Sequence, residues 1–302
     1  MSTIYALKSR PARLSRAWAA VNGSKTGLAA GYTQVVSTAV GPQTCLLGYN
    51  ATSGAVDFYT VKPGALGKLA VKAAGSATLG PGWDIVQPFT INNGPALVAY
   101  TASTGNFGFF TINAVGKISG IVTKGLPAQP GLTLVQPYLY RGTPYLLGYN
   151  TNVGKANNVF TYQLGPASDK PLAPQALGAW TWANGWTRFA FFQFGGEWFF
   201  IKTNTAYKTV FLDHAWDDPS TYPSHPVAEK LPLNQNLQAV VATTLEHFPY
   251  FVTYLPNGAA TVNQVWGDGT GWTTTSKAKL QPKASLVLSF TIGTAPYVLT
   301  YG

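Results

Sequence analysis

Short apolar runs rich in β-branched and aromatic residues recur along this chain, separated by Gly, Asn and Pro turn signals. The unit starting at Gly82 shows the pattern. Trp83 precedes Asp84 to Ile91, and the turn signal Asn92 to Gly94 leads into Pro95 to Tyr100. A second turn at Ser103 to Gly105 leads into Asn106 to Ile112, and a third at Ala114 to Gly116 into Lys117 to Thr123. Runs this short, bounded by turn residues, predict four antiparallel strands joined by tight hairpins.

The unit repeats. Cys45-Leu-Leu-Gly-Tyr49, Ala96 to Tyr100, Tyr145 to Tyr149, Trp198 to Lys202, Tyr250 to Tyr254 and Tyr297 to Tyr301 follow one another at spacings of 51, 49, 53, 52 and 47 residues. Five end in Tyr; the fourth ends in Lys202. The step from Tyr301 through the C-terminus round to Tyr49 is about 50 residues, the spacing of a ring rather than an open stack. Six units of four strands predict an all-β fold, a six-bladed β-propeller, with residues 1–302 as a single domain. First strands are expected to begin near Thr33, Asp84, Thr133, Thr187, Leu237 and Ser285. The last blade is expected to draw two strands from the C-terminus and two from the N-terminus, Thr3 to Lys8 and Arg13 to Trp18, which removes an open sheet edge. A sandwich would not show six equal repeats, and a β-helix repeat is much shorter.

Charged residues make up only 10% of the chain, against about 25% in an average protein, so the surface is rich in uncharged polar groups. Net charge is +10, but the basic residues are scattered apart from Lys8, Arg10, Arg13 and Arg16. With no recognition helix, nucleic acid is not the expected partner. One cysteine, Cys45, excludes an internal disulfide and sits in an apolar strand as an inert thiol. No signal peptide and no membrane span are visible. The expectation is a soluble protein, cytoplasmic or secreted by another route.

Candidate sites follow from the propeller plan, in which first strands line a central channel. Asp84 and Arg188 are the charged residues at the channel starts and would orient a polar ligand, or stand as rim charges. Gln87 and Gln136 match between repeats as ligand-binding or blade-tying amides. Tyr49, Tyr100 and Tyr149, with Tyr254 and Tyr301, would form sugar-stacking sites or blade-packing straps, with Asn50 and Asn150 beside them. Trp83, Trp186 and Trp272 each follow Gly and suit either a pyranose platform or a plug between blades. Asp213 to His225 is the least repeat-like segment, but its spacing fits neither an EF-hand nor a zinc site, so neither metal nor cofactor is expected. No nucleophile elbow, zincin, P-loop or dinucleotide motif is present.

In plan the chain resembles the six-bladed lectins of fungi and bacteria. It shares their repeat length, their aromatic, weakly charged composition and closure by both termini. The resemblance implies multivalent glycan binding without catalysis. Fucose-binding members carry an Arg, a Glu and a Trp in each blade; this chain does not repeat that trio, and no binding residue is carried over. The alternatives are an isomerase, cyclase or lyase acting on a small neutral substrate in the central funnel, and a protein-interaction platform.

Overall fold

The computed structural model describes residues 2–10, 17–63, 69–121, 128–152, 157–165, 174–204, 208–215, 224–232, 237–245 and 247–302. These form six four-stranded antiparallel sheets arranged as a six-bladed β-propeller. Blade 1 is β3 (Gln34–Val40), β4 (Gln43–Tyr49), β5 (Ala55–Pro63) and β6 (Leu69–Thr78). Blade 2 is β7 (Ile85–Ile91), β8 (Gly94–Thr101), β9 (Asn106–Ala114) and β10 (Lys117–Ile121). Blade 3 is β11 (Leu134–Tyr140), β12 (Thr143–Tyr149), β13 (Val159–Leu164) and β14 (Pro174–Trp180). Blade 4 is β15 (Trp186–Phe194), β16 (Glu197–Asn204), β17 (Thr209–Ala215) and β18 (Ser224–Pro232). Blade 5 is β19 (Ala239–Leu245), β20 (Phe248–Tyr254), β21 (Ala259–Val265) and β22 (Trp272–Lys279).

Blade 6 joins β23 (Leu286–Ile292) and β24 (Ala295–Tyr301) to β1 (Thr3–Arg10) and β2 (Ala17–Lys25), in the order β2-β1-β24-β23. The termini thus close the ring as expected. The outermost strand lies further along the chain than its sequence pattern suggested, at Ala17–Lys25; Arg13 to Arg16 lie outside the described residues. First strands start within two residues of the expected positions. The hairpin of blade 2 turns on Asn92 and Asn93, both at positive φ, and Gly94 already belongs to β8.

The second strands explain why the repeat shows apolar runs instead of alternation. Each lies between a first and a third strand and is covered on both faces by neighbouring blades. From Cys45 to Tyr49 and from Ala96 to Tyr100 every residue is buried. Strands packed on both faces read as continuous hydrophobic runs. The fourth strands sit at the rim, and β6 is largely exposed.

The tyrosine ending the second strand is the inter-blade strap. Tyr100 donates its hydroxyl to the Gln129 carbonyl (2.6 Å) and accepts from the Leu132 N–H (3.0 Å), both on the segment leading into blade 3. Tyr49 does the same with Gly80 and Trp83, Tyr149 with Ala183 and Trp186, and Tyr254 with Gln281 and Ala284. Tyr301 binds the Ala29 carbonyl and the Tyr32 N–H, carrying the strap across the junction of the two chain ends. Burial holds the phenols of Tyr49, Tyr100 and Tyr149 above their usual range, so they serve as neutral donors.

Blade 4 departs from the pattern. The register slips between Trp186 and Arg188, so Arg188 faces Thr203 where Gln34 faces Tyr49 in blade 1. Thr203 is therefore the structural counterpart of the repeating tyrosine. Lys202, matched to it by spacing alone, projects from the opposite face of the sheet.

Tyr100→Phe should remove the hydroxyl while keeping the ring, stranding the Leu132 N–H and the Gln129 carbonyl. The expected cost is about 1–3 kcal/mol, read as a lower midpoint in denaturant with an unchanged slope.

Candidate functional site

Every first strand runs from one face of the ring, here the start face, to a hairpin on the other, the hairpin face. The matching ends of the six first strands differ in a regular way. Blades 2, 3 and 4 carry Pro88-Phe89, Pro137-Tyr138 and Phe191-Phe192. Blades 5, 6 and 1 carry Ala242-Thr243, Ser289-Phe290 and Ser37-Thr38. One half of the channel mouth is thus aromatic and proline-rich, and the other is rich in hydroxyls.

The aromatic half holds three adjoining clefts of 320, 490 and 210 Å3. Leu139 lines all three, and Trp198 and Tyr138 are shared by two, so they form one trough over blades 2 to 4. Its origin lies in the packing of the ring. The first strands of adjacent blades approach one another closely at every step except between β11 and β15. There an aromatic cluster fills the wedge, with Tyr149, Trp182, Trp186 and Phe200 buried and Tyr140, Phe189, Phe191 and Trp198 packed around them. Large rings span a gap that backbone contact does not close.

Polar groups stand at the trough's edge. Arg141 occupies the blade 3 hairpin at φ 48, with Gly142 at φ 79 completing a two-residue turn of the mirror-image type. Its guanidinium lies 5.1 Å from the Tyr140 ring centre. Glu197 opens β16 and its carboxylate sits 2.9 Å from His214 Nε2. The wall between blades 3 and 4 thus brings one Arg, one Glu and one Trp together, at Arg141, Glu197 and Trp198. The exposed large hydrophobics among the described residues, Leu139, Phe248 and Trp266, all lie at the hairpin face.

The residues singled out from sequence lie mainly at the start face, and Asp84, Arg188, Trp83 and the repeating tyrosines bind backbone groups there. Asp84 accepts from the Ala102 N–H (2.7 Å). Arg188 Nε donates to the Gln238 carbonyl of the next blade (2.6 Å), and Nη1 donates to the Thr187 carbonyl. Gln34 does equivalent work from blade 1 to blade 2, at Asp84 and Val86, and Gln238 from blade 5 to Ala284. Asp84 and Arg188 are not paired with each other in the structure. Trp83 lies over Gly108, where a Cβ would come within 2.7 Å of its ring, and donates Nε1–H to the Leu79 carbonyl. Trp186 is buried with its ring edge-on to Phe211, and Trp272 stands edge-on to Phe251. Gln87 is half-buried on β7. Gln136 is the one member of the set that lines the trough, and its amide donates to the Pro137 carbonyl. Asn50 binds the Gly31 carbonyl and caps its own turn, as a loop-fixing residue would. Cys45 is fully buried, and burial pushes its thiol up.

Sequence reasoning missed Arg141 and Glu197 because neither repeats from blade to blade, and it read Trp198 only as the first residue of a repeat segment. The available signal was the contrast between first-strand ends: Pro followed by an aromatic against Ser and Thr.

Of the irregular segment, residues 216–223 lie outside the described residues. Among the described residues no three potential ligands gather to hold a metal. Asp213 is instead the partner of Lys202, whose Nζ donates to Oδ2 at 2.6 Å; Ser224 Oγ donates to the same oxygen. The ammonium lies 4.2 Å from the Trp182 ring centre and 5.1 Å from that of Trp186. Burial pushes the Lys202 amine below its usual range and Asp213 opposes that push. The pair and its rings form the floor of the aromatic cluster beneath the trough.

No family model matches the chain, and no curated protein matches it. In fold it is similar to the SapL1 lectin, solved in complex with α-methyl fucoside, with a TM-score of 0.58 and 11% identity over 90% of each chain. It is also similar to an α-L-arabinofuranosidase from Clostridium thermocellum, with a TM-score of 0.51 and 12% identity over 81% of this chain and 95% of that one. At such identities the likeness is one of fold. No helix among the described residues is long and apolar enough to cross a membrane.

Lys202→Met should strand the Asp213 carboxylate in a buried site and cost about 3–5 kcal/mol. Lys202→Met with Asp213→Leu should recover most of that loss, since the charge and its counter-ion leave together. Chemical denaturation of both variants decides between an ion pair and simple packing.

Proposed function

We propose that the protein is a glycan-binding propeller that holds an extended oligosaccharide along the trough over blades 2 to 4 and does not cleave it. The observation that carries this reading is the trough itself. Its walls are aromatic, from Phe89, Tyr138, Tyr140 and Trp198. Such rings stack on the apolar faces of pyranoses, while Arg141, Glu197 and the Asn92–Asn93 turn supply hydrogen bonds at the rim. Three connected clefts suit successive sugar units better than one small molecule.

The absence of a paired acid favours binding over hydrolysis. Most glycosidases use two carboxyl groups about 5–5.5 Å or about 6.5–9.5 Å apart. Among the described residues lining the trough, Glu197 is the one carboxylate, so no such pair stands there. The lectin of similar fold, solved with a fucoside, supports the same reading by analogy. The multivalent mode anticipated from the repeats remains part of the proposal, with the trough as its strongest site.

A glycan array on the purified protein, followed by calorimetry, tests this. Oligosaccharides should bind better than monosaccharides, and Trp198→Ala should weaken them at least tenfold, or about 1.4 kcal/mol, with the melting temperature showing that the variant folds. A blank array, or release of free sugar from the bound glycans, would overturn the proposal.

A further inference from the structure

We infer that the opposite half of the channel mouth, formed by blades 5, 6 and 1, is a second binding site, built for an uncharged polyhydroxylated ligand such as a neutral sugar unit or a polyol. A cleft of 560 Å3 lies there. It is lined by hydroxyl-bearing residues of three blades, among them Ser37, Thr38, Thr243, Thr244, Ser289 and Thr291, and among the described residues by no charged side chain. Ser and Thr hydroxyls both donate and accept, so a cluster of them complements a ligand that is itself covered in hydroxyls. Among the described lining residues an inorganic anion finds no counter-charge and a metal finds no anionic ligand. Phe290, stacked on Tyr297 at 5.5 Å, adds one apolar surface.

Two details separate this lining from ordinary strand polarity. Ser289 is committed to the Ala242 carbonyl of the neighbouring blade and Thr44 to the Thr291 carbonyl, so part of the set fixes the cleft's shape. Thr243 is 8% exposed and its hydroxyl has no partner among the described residues. A buried, unsatisfied hydroxyl is destabilising where a valine of the same shape would serve. A turn about χ1 moves the hydroxyl between staggered wells and brings it round to the cleft when a ligand is present. A residue that weakens the free protein is expected at a functional site.

The site is independent of the trough, and the test keeps the two apart. Methyl glycosides of glucose, galactose, mannose and fucose, with glycerol as a small polyol, are titrated into the wild type, Trp198→Ala and the double variant Thr38→Val with Thr243→Val. The expected result is saturable binding of at least one probe, weakened at least tenfold by the double variant and retained by Trp198→Ala, while the double variant melts at the wild-type temperature or higher. A gain in melting temperature together with a loss of binding is a result that a purely structural role would not give. The inference is overturned if no probe binds saturably, or if binding survives in the double variant. Failure of the trough proposal would show instead as a wild type that binds no oligosaccharide, or whose oligosaccharide binding survives Trp198→Ala, with this response intact.

Discussion

The ring depends on one buried hydrogen-bonding group, the hydroxyl of the tyrosine that ends a second strand. Blades of a propeller share no continuous sheet, so nothing in the β-ladder holds one to the next. Each strapping tyrosine fills part of the wedge between blades with its ring and bridges a carbonyl and an N–H on the incoming segment. Those backbone groups lie at the end of a loop, where the ladder does not reach them, and burial without a partner would be unfavourable. At Tyr301 the same contact joins the end of β24 to the segment before β3, so ring closure uses the same physics as every other step.

Blade 4 shows the consequence of a missing strap. Thr203 takes the tyrosine's place, and its buried hydroxyl has no partner among the described residues. The bulge that puts Thr203 there turns Lys202 to the other face of the sheet, toward the blade 3 junction. Lys202 stands where blades 1 and 3 have Gly48 and Gly148, whose missing side chains make room for Tyr32 and Leu132. Accommodating a lysine there requires a counter-ion and cation-friendly surfaces, which Asp213, Trp182 and Trp186 provide. The aromatic cluster that results spans the one step at which first strands stand apart, and the trough opens above it. The irregular blade and the aromatic trough are thus neighbours for a shared structural reason.

The channel mouth therefore has two chemistries on one scaffold. Blades 2 to 4 present rings, with charge at the margin; the cleft of blades 5, 6 and 1 presents hydroxyl-bearing residues, with no charged side chain among the described residues that line it. A propeller allows this because each blade contributes the same strand end to the same rim, so a change in two or three residues alters one sector without disturbing the others. The start face, by contrast, is occupied by its own staples, with Gln34, Arg188 and Gln238 each reaching the next blade.

The architecture was legible in the chain because a repeat of one supersecondary unit states its own period. Blade number, strand order, hairpin positions and closure by the termini all follow from local signals repeated six times. Lys202 against Thr203 was not legible, because a bulge shifts register without changing the spacing of apolar residues. The site was hidden for a different reason. Repetition draws attention to Tyr49, Tyr100 and Tyr149, yet what repeats in every blade is what every blade needs to stand beside its neighbour. Arg141, Glu197 and Trp198 come from two blades and meet only across a gap between strands, and Thr38 and Thr243 line one cleft only because the ring closes. The sequence by itself determined the repeating unit and its closure, since these rest on local propensity and burial. Which unrepeated side chains gather at the hairpin face, and with what chemistry, was decided by the tertiary structure, because it depends on what the closed ring brings together.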